Sequence, residues 1–186
     1  MSVRALLAVA DGVEDIETVT VIDVLRRAEV EVLVASIEEH RRLITCARGT
    51  RLTADVLFSE LLAQEFDLIA LPGGLAGAER LAGHEPLAES VREQAAAGRL
   101  FGAICASPAL ALQQYGVLVD RQVTCYPSLR DRLSGCRYLD QPVVVDGNCI
   151  TSQGPATAIA FALELVSQLC GEERSQAVAS AMLVPA

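Results

Sequence analysis

The chain has 186 residues, 52% of them hydrophobic, and a net charge of −9 at pH 7 from 15 basic and 24 acidic residues. This length supports one domain with a full core and is short for two, so we predict a single domain over residues 1–186. The acidic balance disfavours nucleic acid or an anionic membrane surface as a partner, because both require clustered Lys and Arg. Small molecules or proteins are the expected partners.

The six cysteines have the spacing of neither a disulfide framework nor a metal site, since no C-x-x-C pair occurs. We therefore predict free thiols in a reducing cytoplasm and no bound metal or cofactor. The first residues lead directly into strand-like sequence, without the features of a signal peptide, and no apolar run approaches the ~18 residues of a membrane span. These observations predict a cytoplasmic location.

Strands and helices alternate in the first half of the chain. Apolar runs of strand length, each ended by turn residues, predict strands at residues 5–10, 30–36 and 68–71. Apolar positions at helical spacing predict helices at residues 17–28, 57–64, 78–81 and 87–97. Residues 43–53 predict a short hairpin or edge segment, and Pro72-Gly73-Gly74 predicts a loop that lets the backbone approach a ligand.

The same alternation continues in the second half. Short apolar runs predict strands at residues 100–104 and 122–125, and helical segments are predicted at residues 108–115, 128–133, 156–169 and 172–182. Asp146-Gly147-Asn148 lies between residues 143–145 and 149–151 and predicts an antiparallel hairpin. Gly116 and Gly171 are expected to end helices.

Alternation of strands and helices predicts an α/β fold. We expect a mostly parallel sheet with helices on both faces, in a flavodoxin-like, doubly wound arrangement. The carboxyl ends of such strands meet at one edge, where ligands bind. The loops expected to meet there are residues 11–17, 72–77, 105–108, 125–127 and 153–155.

Cys105 lies in the turn between a predicted strand and a helix that begins at Pro108. Its small neighbours Ala103 and Ser107 take the flanking positions of a G-x-S-x-G elbow, and Ser107 offers an N-cap. The turn predicts an exposed thiol whose pKa is lowered by the N–H groups of the helix start. The alternative is that Cys105 is a small buried core residue, and the local pattern leaves both open.

Three carboxylates, those of Glu14, Asp15 and Glu17, follow the first predicted strand. One of them could reach a thiol at a neighbouring strand end, but the spacing does not indicate which one. The alternative, which applies above all to Glu14 and Asp15, is that acidic residues at a helix start offset the helix dipole.

Four motifs occur in order along most of the chain: G-V-E-D-I-E-T from Gly12, L-P-G-G from Leu71, A-I-C-A-S-P from Ala103 and T-S-Q-G-P from Thr151. In this order and spacing they resemble the ThiJ/PfpI superfamily, in the branch of the Parkinsonism-associated deglycase and bacterial YajL. The resemblance covers the chain from Arg4 onward. It implies a flavodoxin-like fold and a homodimer.

The resemblance also implies the roles of individual residues. Cys105 would be the nucleophile, and a protonated Glu17 would donate a hydrogen bond to its thiolate. Such a carboxyl should have a raised pKa, because it is buried beside an anion. The N–H groups of Gly74 and Ala106 would stabilise an oxyanion.

Further positions are implied for the substrate pocket: Gly73, Tyr126, Pro155, Arg48 and Arg27. The two arginines match family positions near the dimer interface and active site, although each could equally be an ordinary surface residue. Tyr126 could position a ligand or simply pack.

The chain departs from the family pattern in one respect. Many members place a histidine near the nucleophile, whereas this chain has Tyr126 before Pro127, and His40 and His84 are not placed at the edge where the loops meet. A Cys–His protease or amidotransferase mechanism therefore lacks its general base.

The resemblance implies a cysteine-dependent, cofactor-independent enzyme. It would act on methylglyoxal or glyoxal, or on their early adducts, including those on glycated protein. The alternative is an oxidative-stress sensor or redox-regulated chaperone in which Cys105 is oxidised to a sulfinate. A thiamine-biosynthesis or protease role is disfavoured by the missing histidine.

Overall fold

A central sheet organises the chain, whose computed structural model describes residues 3–61 and 64–185. The strands are β1 (Arg4–Val9), β2 (Glu31–Ser36), β3 (Leu43–Thr45), β4 (Arg51–Thr53), β5 (Val56–Leu57), β6 (Leu68–Leu71), β7 (Leu100–Ile104), β8 (Gln122–Val123), β9 (Arg137–Tyr138), β10 (Val143–Asp146) and β11 (Cys149–Ser152). The α-helices are α1 (Asp15–Arg27), α2 (Leu75–Ala82), α3 (Glu85–Ala96), α4 (Gln113–Tyr115), α5 (Ala158–Cys170) and α6 (Glu172–Ala181).

Seven strands form the main sheet in the order β10-β11-β7-β6-β1-β2-β5. All neighbours are parallel except β10 and β11, which form the antiparallel hairpin. From β1 the chain moves to β2 on one side, and from β6 it moves to β7 on the other. The loops after β1, β6 and β7 therefore meet at the point where the strand order reverses, which is where such sheets bind ligands.

The helices form two layers around this sheet. Helix α1 packs against α5, which also contacts α6, while α2 and α3 pack with the segment around α4. Right-handed crossovers place the two layers on opposite faces. Strands covered on both sides are continuous apolar runs, as in β6, and the fully buried Leu25 and Leu68 each contribute roughly 2 kcal/mol through burial.

The predicted α/β fold with a mostly parallel sheet and two helical layers is confirmed. Both predicted hairpins form, as β3 with β4 and as β10 with β11, and Gly147 has the positive φ of 58° that its turn requires. Helix α1 begins two residues earlier than predicted. Helix α2 is longer than the predicted residues 78–81.

Two predicted elements differ from the structure, one in type and one in length. The helix predicted at residues 57–64 is instead β5 followed by a 3-10 turn at Phe58–Leu61, because β5 pairs with β2 and the Glu60 carboxylate accepts the Leu57 N–H at 2.8 Å. Leu62 and Ala63 lie outside the described residues. The strand predicted at residues 122–125 ends at Val123, since the next N–H donates to the Thr151 hydroxyl.

One hydrophobic core contacts both helical layers. A single domain over residues 1–186 stays a prediction. Within residues 3–61 and 64–185, no helix has the length and apolar character needed to cross a bilayer.

Candidate active site

Cys105 directly follows β7 and has a left-handed backbone conformation, with φ at 65°. Residues with a side chain rarely adopt this conformation. Two hydrogen bonds hold it: the Cys105 N–H donates to the Ser152 carbonyl at 2.9 Å, and its own carbonyl accepts the Tyr126 N–H at 2.7 Å. The predicted strand-to-helix elbow is therefore present, and two other segments of the chain hold it in place.

The segment after the elbow differs from the prediction. Pro108–Leu112 is a π-helical turn that leads into α4, where an ordinary α-helix was expected. Ser107 is not a side-chain N-cap, because its hydroxyl donates to the Pro72 carbonyl instead. This hydrogen bond joins the Cys105 elbow to the loop after β6.

Glu17, in the first turn of α1, is completely buried beside this elbow. The Gly73 N–H donates to its Oε2 at 2.8 Å, and the carboxyl also interacts with the Cys105 thiol. Within the described residues, Oε1 receives no hydrogen bond from an N–H or O–H group. A buried oxygen without a donor is costly in a carboxylate, but a protonated Oε1 becomes a donor itself. The unpartnered Oε1 thus favours a protonated Glu17.

Gly73 makes this close approach possible. A Cβ at this position would lie 2.5 Å from the Cys105 Cβ and 2.7 Å from Glu17 Oε2. Both distances are far inside van der Waals contact. The thiol and the carboxyl therefore meet at a position where only glycine fits.

Burial is the main cause that raises the pKa of Glu17, to about 7. The Gly73 N–H and the Cys105 thiol lower this pKa, and the charge of Glu14 raises it. At neutral pH this carboxyl therefore holds a proton far more readily than an exposed glutamate does. The raised pKa that the sequence analysis expects for this residue agrees with its environment.

The Cys105 thiol differs from the expectation. Burial first, and the charge of Glu17 second, raise its pKa to about 12, while the N–H groups of Gly74 and Ala106 lower it. Only 8% of the residue is exposed. The prediction of an exposed thiol is therefore wrong. With Glu17 ionised, the prediction of a lowered thiol pKa is also wrong, because desolvation outweighs the two N–H donors. The contribution from the Glu17 charge disappears when Glu17 is protonated.

A pocket of about 310 Å³ adjoins the thiol. Its walls come from the loops after β1, β6 and β7, from the β3–β4 hairpin, and from the segments that contain Tyr126 and Pro155. The lining residues are Glu14, Arg48, Gly74, Leu75, Cys105, Ala106, Tyr126, Ser128, Leu129 and Pro155. The structure thus brings most of the implied site residues together around one small cavity.

The model of the DJ-1/PfpI family matches residues 3–168. The chain belongs to the DJ-1/PfpI family. Protein DJ-1 homolog B of Arabidopsis thaliana is 41% identical over 97% of this chain, and the chain spans 41% of that protein's length. The glutathione-independent glyoxalase DJR-1.2 of Caenorhabditis elegans is 36% identical, with 93% of this chain and 91% of that protein aligned. The structure of oxidized Toxoplasma gondii DJ-1 superposes with a TM-score of 0.95 at 38% identity, covering 98% of each chain.

Two of the five residues implied for the substrate pocket, Gly73 and Arg27, do not line it. Gly73 contacts Glu17 instead of the cavity. Arg27 is in the last turn of α1, about 15 Å along the helix from Glu17, where its Nε donates to Asp23 at 2.8 Å. Helical geometry separates this arginine from the pocket of its own chain.

Neither histidine lines the pocket. His84 begins α3, where its Nδ1 accepts the Leu87 N–H, and His40 follows β2. Among the described residues, no three His, Cys, Asp or Glu side chains form a group that could hold a metal ion. At this DJ-1/PfpI site the thiol lies beside the Glu17 carboxyl and the N–H groups of Gly74 and Ala106.

Glu14 is a pocket residue whose position the sequence analysis missed. It is 8% exposed, and its Oε1 lies 3.6 Å from Arg48 Nε. Asp15, the next residue, accepts the N–H groups of Arg48 and Thr50 and so holds the β3–β4 turn against α1. The helix-dipole interpretation omitted these contacts, because nothing in the sequence of α1 indicates where this hairpin packs.

Proposed function

We propose that this DJ-1/PfpI protein is a cysteine-dependent, cofactor-independent protective enzyme of the glyoxalase or deglycase type. Its substrates would be methylglyoxal and glyoxal, or their early adducts on amines, thiols and glycated proteins. The observation that carries this proposal is the contact between the Cys105 thiol and a buried Glu17 whose pKa is about 7, so that the carboxyl exchanges protons near neutral pH. A related protein from C. elegans is named a glutathione-independent glyoxalase.

In the first step Cys105 adds to the aldehyde carbon. The thiol first transfers its proton to the Glu17 carboxylate, and the protonated Glu17 then donates a hydrogen bond to the thiolate instead of repelling it. As the S–C bond forms, the carbonyl electron pair moves to oxygen, and the N–H groups of Gly74 and Ala106, which interact with the sulfur in the free chain, stabilise the alkoxide. The alkoxide then takes the proton from Glu17, which gives a hemithioacetal.

In the second step the Glu17 carboxylate removes the proton on the hemithioacetal carbon, and the enediol is protonated on the adjacent carbon. The resulting thioester is hydrolysed by water, which breaks the C–S bond and releases lactate and the Cys105 thiol. One carbon of methylglyoxal is oxidised as its neighbour is reduced. The balance is therefore methylglyoxal plus water to lactate, and no external oxidant or reductant is needed.

Lactate formation by purified protein without glutathione tests this proposal. Cys105→Ser and Glu17→Gln should each lose nearly all turnover, because the two groups act as one unit. Cys170→Ser, which changes a cysteine outside the pocket, is the matched control and should retain wild-type turnover. Wild-type protein that forms no lactate would contradict the proposal.

A second candidate is an oxidative-stress sensor or redox-regulated chaperone. One related structure is that of an oxidized DJ-1, from T. gondii. In this chain, two molecules of peroxide would each give one oxygen to the Cys105 thiolate and leave as water, and protonated Glu17 would donate to the sulfinate formed. Intact mass after peroxide treatment should show two added oxygens, absent in Cys105→Ser. Protein that neither consumes methylglyoxal nor gains oxygen would exclude both candidates.

We also propose that the chain forms a homodimer. Ile16 and Val19 on α1 and Ile159 on α5 are 56%, 47% and 41% exposed, and these two helices pack against each other. Large apolar side chains together on one face are typical of an interface. Two other apolar residues of α1 are less accessible, since Ile22 is partly buried and Val24 is part of the core. Sedimentation should give twice 19.7 kDa, and Val19→Glu should give a monomer.

A cytoplasmic location is part of the same proposal. All six cysteines, each within the described part of the chain, are free. Free thiols persist in a reducing compartment. Fractionation of cells that produce the protein should recover it with cytoplasmic markers.

A further inference from the structure

The wall of the Cys105 pocket contains a carboxylate that the proposed chemical steps do not use. Glu14 lines the cavity, and its side chain is only 11% exposed. Its position is fixed by its backbone, because its N–H donates to the Gly73 carbonyl at 3.0 Å and its carbonyl accepts the Thr18 N–H and hydroxyl. The carboxylate is therefore held beside whatever occupies the pocket.

Two positive groups oppose the charge of Glu14, and neither cancels it. The Arg48 side chain is 76% exposed, and its Nε lies 3.6 Å from Glu14, so water and salt screen it more than they screen the buried carboxylate. The N-terminus of α1 offsets about half a unit charge. The N–H groups of Gly74 and Ala106 interact with the Cys105 sulfur. An anionic ligand in this pocket is therefore repelled by the buried Glu14 more strongly than it is attracted by the exposed Arg48.

We propose that Glu14 is a specificity-determining residue that disfavours carbonyl compounds bearing a carboxylate, such as glyoxylate. It favours neutral dicarbonyls and adducts that carry a cationic nitrogen. This inference rests on the proposed function only in taking the substrate to be a carbonyl compound that reacts at Cys105. It narrows the substrate class by charge.

The size of the pocket sets the expected effect. A cavity of about 310 Å³ has a diameter of roughly 8 Å, so a bound carboxylate lies within that distance of Glu14. At this separation, with a permittivity between those of protein and water, one charge changes occupancy on the order of fivefold. The discrimination against anions should therefore be measurable and should follow the charge at position 14.

Two alkylating reagents of nearly equal size test this without any turnover. Iodoacetate and iodoacetamide both transfer a carbon to the Cys105 sulfur and release iodide, but only iodoacetate is negative. Peptide mapping measures the rate at which each reagent modifies Cys105, and the readout is the ratio of the two rates. The ratio is used because any change in thiol reactivity affects both rates equally. Glu14→Gln should raise the iodoacetate to iodoacetamide ratio about fivefold, and Arg48→Gln should lower it.

Asp23→Asn is the matched control for net charge. Asp23 is on the same helix, about 13 Å further along it, half exposed and paired with Arg27. It should leave the ratio unchanged. An unchanged ratio in Glu14→Gln, or an equal change in Asp23→Asn, would overturn the inference.

Steady-state kinetics separate this inference from the proposed function. If the protein consumes dicarbonyls, Glu14→Gln should raise kcat/KM for glyoxylate relative to glyoxal by the same factor. A chain that consumes neither compound but shows the alkylation change refutes the proposed function and supports the charge selection. Normal turnover of glyoxal with an unchanged iodoacetate to iodoacetamide ratio in Glu14→Gln supports the proposed function and refutes the charge selection.

Discussion

Replacing Glu17 with Gln should change how the free energy of unfolding depends on pH. Burial raises the pKa of this carboxyl from 4.5 to about 7, so between these pH values the folded chain holds a proton that the unfolded chain has lost. The stabilisation from this proton is complete below pH 4.5 and disappears as pH rises through 7. Gln keeps the shape and a hydrogen-bond donor but does not titrate.

The expected magnitude follows from the two pKa values. A rise from 4.5 to about 7 corresponds to about 3 kcal/mol of unfolding free energy. Because Glu17 is fully buried, solvent screening does not reduce this figure. For a chain of this size, the Tm of the wild type should decrease between pH 5 and pH 8 by roughly 10 °C more than the Tm of Glu17→Gln does.

Urea denaturation at pH 5, 6, 7 and 8 measures the effect. The unfolding free energy of the wild type minus that of Glu17→Gln should fall by about 3 kcal/mol across this range. Glu60→Gln is the control, because the pKa of the exposed Glu60 is lowered, by the Leu57 N–H first, and its titration therefore lies below pH 5. Parallel curves for the wild type and Glu17→Gln would refute the assignment of a raised pKa to this carboxyl.

Three further outcomes follow from the same site. Gly73→Ala should abolish lactate formation and lower Tm, because its Cβ would overlap Cys105 and Glu17, and unchanged activity would show that the contact is not needed. Ser107→Ala should reduce the unfolding free energy by roughly 1–2 kcal/mol in urea denaturation, since the Pro72 carbonyl loses a buried donor. Peptide mapping after brief alkylation should find Cys105 labelled before Cys46, because Cys105 lines the pocket of about 310 Å³ whereas Cys46 is 4% exposed and does not line it.

Much of the fold could be predicted because its strands are covered on both faces. β6 consists of buried apolar residues, and β1 of apolar residues after Arg4, so each appears in the sequence as a continuous run. The turn at Gly147 was equally clear. In contrast, β5 and the 3-10 turn after it depend on pairing with β2 and on the Glu60 carboxylate, which are tertiary contacts.

The positions of the two central site residues could be predicted from the sequence, whereas the ionisation of the thiol could not. The strand-to-helix turn indicated Cys105, the family resemblance implied Glu17, and both residues lie at the reversal of strand order. The thiol pKa was not predictable, because it depends on how much solvent the assembled loops exclude. The helix spacing alone could have shown that Arg27 lies far from Glu17, whereas the place of Glu14 in the pocket wall depends on where the β3–β4 hairpin packs.

The left-handed backbone at Cys105 also has an evolutionary consequence. A side chain in this conformation costs about 1 kcal/mol or more, which glycine would not incur. Under the proposed function, selection for a thiol at position 105 therefore acts against a backbone cost that glycine would not carry.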